Sequence, residues 1–281
     1  MTYCLLWLFM WDDEIDSRDA SLGSDFEGAQ RYRKTTLAYV AKALNLMDDA
    51  PIPDLSATTN VLITGFSDIA NAVSSKDKQQ RRRLYKEVEY LVQSTEVEQA
   101  RRSEVSLPTL EEYIETRMGT SAVRVLCVLF DILTGPSFDS SPCFTSSKRS
   151  SHTSSQCLEI MTNQTNLLIS ITNDILSVKK EVAVGAPDSI IPILWLESRK
   201  LAEALVRTVG LLEKARRVFD EAEQKMLRSC WNEMAIGEII GALQYVEALK
   251  TSCTGNVAWS MRSRRYGLSS LAGQREKVIV L

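Results

Sequence analysis

With 281 residues, 44% of them hydrophobic and 25% charged, the chain carries enough apolar material for one large domain or two small ones. Its net charge of −3 gives no reason to expect nucleic acid or an anionic membrane as a partner. One histidine and six scattered cysteines without a CxxC pair leave almost no material for a Ser-His-Asp triad, a zinc site or a disulfide framework.

A reducing cytosol is therefore the expected setting. Any metal has to be a hard ion held by oxygen, which points to magnesium or manganese.

The opening "MTYCLLWLFMW" is too short to span a bilayer and runs straight into acids. It has no basic leader and no small-residue cleavage site, and it is expected to be a core helix. Apolar residues then recur at i, i+3 and i+4 over residues 31–47, 58–75, 81–103, 109–133, 162–184, 188–227 and 234–260. The breaks between them hold proline, glycine, aspartate and asparagine. No alternating run is long enough for a sheet, so the chain is expected to be all-α. Residues 135–157 are serine-dense, contain two prolines and lack periodicity, which predicts a flexible surface insertion.

Two stretches carry chemistry. In "FMWDDEID", Asp12, Asp13 and Asp16 continue an apolar stripe. Asp12 and Asp16 share a helix face, and Asp13 sits about 100° round from Asp12. Carboxylates this close repel one another and invite a cation. In "NDILSVKKE", Asn173, Ser177 and Glu181 fall one turn apart and offer three oxygens on one stripe, with Asp174 and Lys180 beside them. Magnesium takes a few protein oxygens together with substrate phosphate, and a lysine beside them adds charge for an anion.

Together these stretches resemble the class I terpene synthases. "NDILSVKKE" resembles that family's NSE motif, and "DDEID" its aspartate-rich motif. "WSMRSRRY" resembles its C-terminal Arg-Tyr motif, carried by Arg265 and Tyr266. "EEYIETRMGTSA" resembles the segment with the pyrophosphate-sensing arginine, here Arg117. Thr120 and Ser121 fall at the family's linker and effector positions at a helix break. The tone of the flanking sequence is similar to that of fungal sesquiterpene synthases.

The resemblance implies one all-α domain over residues 1–281, a helical bundle around an apolar cavity, with the two metal motifs facing each other across its mouth. It implies three Mg²⁺ ions (Mn²⁺ is the alternative) and an isoprenoid diphosphate substrate, most plausibly farnesyl diphosphate. Asp12, Asp13 and Asp16 would serve one group of metals, and Asn173, Ser177 and Glu181 another. Arg117, Lys180, Arg265 and Tyr266 would donate to the diphosphate. The product would be a sesquiterpene, from a cytoplasmic monomer or homodimer that neither binds nucleic acid nor inserts in a membrane.

The aromatic residues Phe9, Trp11, Phe130, Trp195 and Trp259 are candidates for facing the cation, with plain core packing as the competing reading for each. Family members carry several helices before the aspartate-rich motif. Because that motif begins here at Asp12, the chain is expected to be N-terminally truncated. A chain-elongating prenyltransferase would carry a second aspartate-rich motif where "NDILSVKKE" stands. A catalytically inactive helical fragment is the other alternative.

Overall fold

The structure is a computed structural model that describes residues 2–16, 22–47, 60–104, 107–134, 149–183, 188–230 and 236–268. Every regular element among them is helical. None of the described helices is long and apolar enough to cross a membrane. The chain divides into two compact units, Met1–Ser106 with Gly119–Pro142, and Leu107–Met118 with Cys143–Leu281.

The first unit holds α1 (Thr2–Asp16), α2 (Phe26–Ala43), the short helices α3 (Val61–Thr64) and α4 (Ser67–Ala72), and α5 (Lys78–Glu104). Helix α1 buries Cys4, Trp7, Leu8, Trp11 and Ile15, a stripe at helical spacing. The Trp11 indole N–H donates to Thr36 Oγ1 of α2 at 2.9 Å, and its ring stacks on Tyr32. The Trp7 indole N–H donates to the Leu62 carbonyl at 2.7 Å. A buried tryptophan whose N–H finds a partner carries no desolvation penalty, so these two rings fix α1, and the acids at its C-terminal end, against α2 and α3.

Helix α2 starts on Asp25, whose carboxylate caps the Gly28 N–H at 2.9 Å. Helix α5 starts on Asp77 and Gln80, which bond to each other's backbone N–H. Buried Arg33 ties α2 to α5 through Thr95 and Gln99. Gln99 in turn donates to the carbonyls of Leu22 and Gly23, in the segment between α1 and α2.

Residues 109–133 fold as two helices, α6 (Leu110–Thr120) and α7 (Val123–Thr134), with the break at Ser121 and Ala122. The Ala122 N–H turns back to the Gly119 carbonyl, and Ala122 takes a left-handed φ of 58°. Helix α7 packs on α5 through Arg83–Asp131 and the two-point Arg124–Glu87 pair.

The second unit holds most of α6, then α8 (Arg149–Ala183), α9 (Ile190–Ser198), α10 (Leu201–Cys230), α11 (Ile236–Arg262) and a 3₁₀ turn at Arg264–Tyr266. Its core gathers Tyr113, Ile171, Val178, Ile190, Leu194 and Ala204.

Several sequence-based boundaries move. Of the helix expected over 58–75, the described part forms two short helices interrupted at Gly65 and Phe66, and residues 188–227 split where Arg199 is left-handed. The expectation of a non-periodic loop over 135–157 is corrected for its last part: α8 begins at Arg149, and Ser154 and Cys157 are buried in it. Ser154 pairs with Ser229 of α10, so serines there pack as small helix residues. Residues 135–148 lie outside the described residues.

Candidate active site

Three local signals build the site. Pro108 precedes a capping box in which Thr109 and Glu112 bond to each other's backbone N–H, at 3.3 and 2.9 Å. This starts α6 so that Tyr113 and Arg117 fall one turn apart on one face. The long helix α8 supplies the polar stripe. The Ser263 hydroxyl caps the Arg265 N–H at 3.1 Å, and Gly267 takes a φ of 67° that favours glycine, so "SRRYG" closes as a tight turn. That turn carries Tyr266 inward, 5% exposed, against Leu176, Met261 and Leu268.

These elements meet at Asn173 and Asp174. Arg117 donates from Nε to Asp174 Oδ1 at 3.1 Å and from Nη2 to Asn173 Oδ1 at 2.7 Å. The Tyr113 hydroxyl donates to the other Asp174 oxygen. Asn173 Nδ2 donates to the Tyr266 hydroxyl at 2.7 Å. A continuous hydrogen-bonded chain thus runs from α6 through α8 to the 3₁₀ turn.

One turn further along α8, the Ser177 hydroxyl donates to Glu181 Oε1. The second Glu181 oxygen and the Ser189 hydroxyl at the start of α9 are both buried and make no hydrogen bond of regular geometry, while the Ser189 hydroxyl is close enough to oppose the rise of the Glu181 carboxyl. Burial pushes the carboxyls of Asp174 and Glu181 upward. The Arg117 charge and the hydrogen bonds from Tyr113 and Arg117 oppose the shift at Asp174, and Ser177 opposes it at Glu181. Burial also raises the Tyr113 phenol, followed by the Asp174 charge, so its hydroxyl keeps its proton and remains a donor.

The predicted residues are not all placed alike. Asn173, Ser177 and Glu181 lie on α8 as the spacing requires, and Arg117 and Tyr266 join them. Lys180 and Arg265 are exposed. In the first unit, Asp12 is half-buried and Asp13 exposed near the end of α1; Asp16 is its last residue, and its side chain lies outside the described ones. Burial raises the Tyr32 phenol, and the charges of Glu14 and Asp12 raise it further, which places those acids in the field of that ring.

Among the aromatic candidates, Trp11 is core, fully buried and hydrogen-bonded. Phe9, Trp195 and Trp259 are partly exposed, and Trp259 meets the Tyr266 ring edge-on.

The donor set fits a hard divalent ion. Asn173, Ser177 and Glu181 offer an amide oxygen, a hydroxyl and a carboxylate, one atom of which is buried and makes no hydrogen bond of regular geometry. Among the described residues no three His, Cys, Asp or Glu side chains converge.

Sequence reasoning gave no role to Asp174 and passed over Tyr113. The signal was the i, i+4 pairing of Tyr113 with Arg117 beside a helix whose stripe carries an extra acid.

Residues 3–218 match the model of terpene synthase family 2, C-terminal metal binding. The chain belongs to the class I terpene synthases. It is therefore an enzyme of the terpene cyclase and lyase kind, and the matched region is the metal-binding part of that family. A sesquiterpene cyclase (hepA) of Aspergillus oryzae is 28% identical over 98% of this chain and 73% of its own length. An isoafricanol synthase of Streptomyces violaceusniger is 30% identical over 42% of this chain and 32% of its own.

The fold is shared with a germacradien-4-ol synthase from Streptomyces citricolor, at a TM-score of 0.69 and 19% identity over 93% of this chain and 77% of the other. It is also shared with a linalool/nerolidol synthase from Streptomyces clavuligerus in complex with 2-fluorogeranyl diphosphate. There the TM-score is 0.73 and the identity 18%, over 94% and 80% of the two chains.

Proposed function

We propose that this terpene synthase ionises an isoprenoid diphosphate, farnesyl diphosphate, with Mg²⁺ and release of pyrophosphate, and cyclises the resulting allylic cation. The cyclised cation becomes a neutral sesquiterpene by losing a proton, or by capturing water and losing a proton from it. The observation that carries the reading is the bonded chain Tyr113–Asp174–Arg117–Asn173–Tyr266. It puts a guanidinium, a phenol and an oxygen-rich helix stripe together, which is the equipment for an anion held with a hard metal. The cyclase of Aspergillus oryzae, matched along nearly the whole chain, supports the sesquiterpene class, and the diphosphate complex of the Streptomyces clavuligerus enzyme supports the substrate class.

In this reading Asn173, Ser177 and Glu181 would hold one metal, and Asp12, Asp13 and Asp16 would hold further Mg²⁺, three ions being expected in all, with Mn²⁺ able to substitute. Bound divalent ions supply Lewis-acid stabilisation of the charge that builds on the leaving diphosphate. Arg117 is the directional donor, because its planar fork can address two oxygens at once. Tyr266 supplies a hydroxyl held by Asn173, while Lys180 and Arg265 are exposed cations that would reach the anion once it is seated. A cytosolic setting fits Cys4, Cys127, Cys157 and Cys253, which among the described residues are thiols outside any disulfide.

The test is incubation with farnesyl diphosphate and Mg²⁺, followed by gas chromatography. A metal-dependent hydrocarbon or alcohol is expected. A longer diphosphate formed when isopentenyl diphosphate is added would instead identify a prenyltransferase.

A further inference from the structure

Arg117 can address an anion only if its guanidinium plane is held in place, and a long flexible stem does not hold itself. Asp174 is the holder: it is 2% exposed, and Oδ1 takes the Arg117 Nε at 3.1 Å. Its other oxygen is occupied by the Tyr113 hydroxyl, from a ring that is 8% exposed in the core of this unit.

Tyr113 and Arg117 are one turn apart on α6, so one carboxylate of α8 is gripped from both ends by the same helix face. Without the phenol, the carboxylate keeps only Arg117 and the Ile190 backbone N–H, and it can shift about its last torsion, which is broad and weakly restrained. The arginine then turns with it, and the contact from Nη2 to Asn173 Oδ1 goes out of line.

We infer that Tyr113 is a positioning residue for diphosphate and metal binding. Its hydroxyl locks Asp174, which aims Arg117 and, through Arg117, the amide of Asn173. The inference rests on the functional reading above. No substrate contact is assigned to Tyr113 itself; it acts through Asp174.

The experiment is calorimetry of inorganic pyrophosphate with Mg²⁺ on the full chain, in a double-mutant cycle of Tyr113→Phe with Arg117→Ala. Tyr113→Phe keeps the ring packing and removes only the hydroxyl. It should weaken pyrophosphate binding about tenfold, the low end for loss of a supporting hydrogen bond at a metal site. In the Arg117→Ala background the same change should have no further effect, an outcome that general loosening of the fold would not give. Circular dichroism at the titration temperature checks that each variant is folded. If Tyr113→Phe is not, Asp174→Asn, which keeps the shape, takes its place in the cycle with the same expectation.

Unchanged affinity in Tyr113→Phe, or an equal loss in both backgrounds, overturns the inference while leaving the functional reading intact. Failure of the unaltered chain to bind pyrophosphate with Mg²⁺ overturns the functional reading, and the inference with it.

Discussion

The Arg117 guanidinium donates to the side-chain oxygen of Asn173 at 2.7 Å, and the same Asn173 side chain donates onward to Tyr266 at 2.7 Å. One amide therefore joins a helix in the middle of the chain to the turn near its end. Asn173→Ala removes both bonds together with the oxygen proposed to hold a metal. Supporting groups at metal sites already contribute 10–100-fold, so turnover should fall by more than about 100-fold. Glu181→Ala should do the same. Unchanged product formation by either variant, measured by gas chromatography, would contradict the metal assignment.

Arg117→Lys separates charge from geometry. Lysine keeps the positive charge but cannot bond Asp174 and Asn173 simultaneously through a planar fork. Hydrogen bonds to charged groups are typically about 1.5–3 kcal/mol each. Pyrophosphate affinity in calorimetry should therefore fall by at least about tenfold, with the far-ultraviolet circular dichroism unchanged. An affinity equal to that of the unaltered chain would show that charge alone suffices.

Gly119 marks a close approach of α6 to α5 within the first unit. A Cβ there would lie 1.9 Å from Ser94 Oγ and 2.5 Å from Ser94 Cβ. The second of these atoms is fixed to the backbone, so the backbone at Gly119 and at Ser94 must move apart. Gly119→Ala should lower stability by about 1–3 kcal/mol, the usual range for overpacking a tight contact, even though alanine is the better helix former. Chemical denaturation measures this directly, and a stabilised variant would contradict the contact.

Asn166 extends the α8 stripe upstream. Fully buried, it donates to the Met118 carbonyl at 2.6 Å and accepts from Ser170 at 3.2 Å. The Ala122 N–H that would serve Met118 in a continued helix donates to Gly119 instead, so Asn166 satisfies a carbonyl that the helix break releases. Asn166→Ala should destabilise by about 1–3 kcal/mol, the cost of a buried unsatisfied group. The same denaturation experiment reads it, and a loss below about half a kcal/mol would mean the carbonyl finds another donor.

Two thiols offer a check that needs no substrate. Burial raises the thiols of Cys4 to about 12 and of Cys253 to about 11. At pH 8 the reactive thiolate is then about one Cys4 in ten thousand and about one Cys253 in a thousand. Both should resist iodoacetamide in the folded protein and react after denaturation, as mapped by mass spectrometry. Rapid alkylation of Cys4 in the native state would contradict the packing of α1.

Much of this was legible beforehand because periodicity and cap chemistry are local. The stripe Asn173–Ser177–Glu181 lies within a few residues and is read from its spacing; the capping box at Thr109 and the turn at "SRRYG" are as local, and the structure shows them. The break at Ser121 and Ala122 was legible only through the family resemblance. The start of α8 was not: serines carry weak helix preference, and what holds Ser154 in a helix is a partner on α10, 75 residues away. The role of Asp174 was hidden for the same reason. The position of Asp174 beside the stripe assigns it nothing until Tyr113 and Arg117, 61 and 57 residues upstream, are seen to bond both its oxygens.

The most direct test is a paired assay of the unaltered chain and Asn173→Ala with farnesyl diphosphate, each with Mg²⁺ and with a chelator. The account requires a sesquiterpene and free pyrophosphate from the unaltered chain only when Mg²⁺ is present, and neither from the variant. Product formation in the chelator, or equal product from Asn173→Ala, would contradict it.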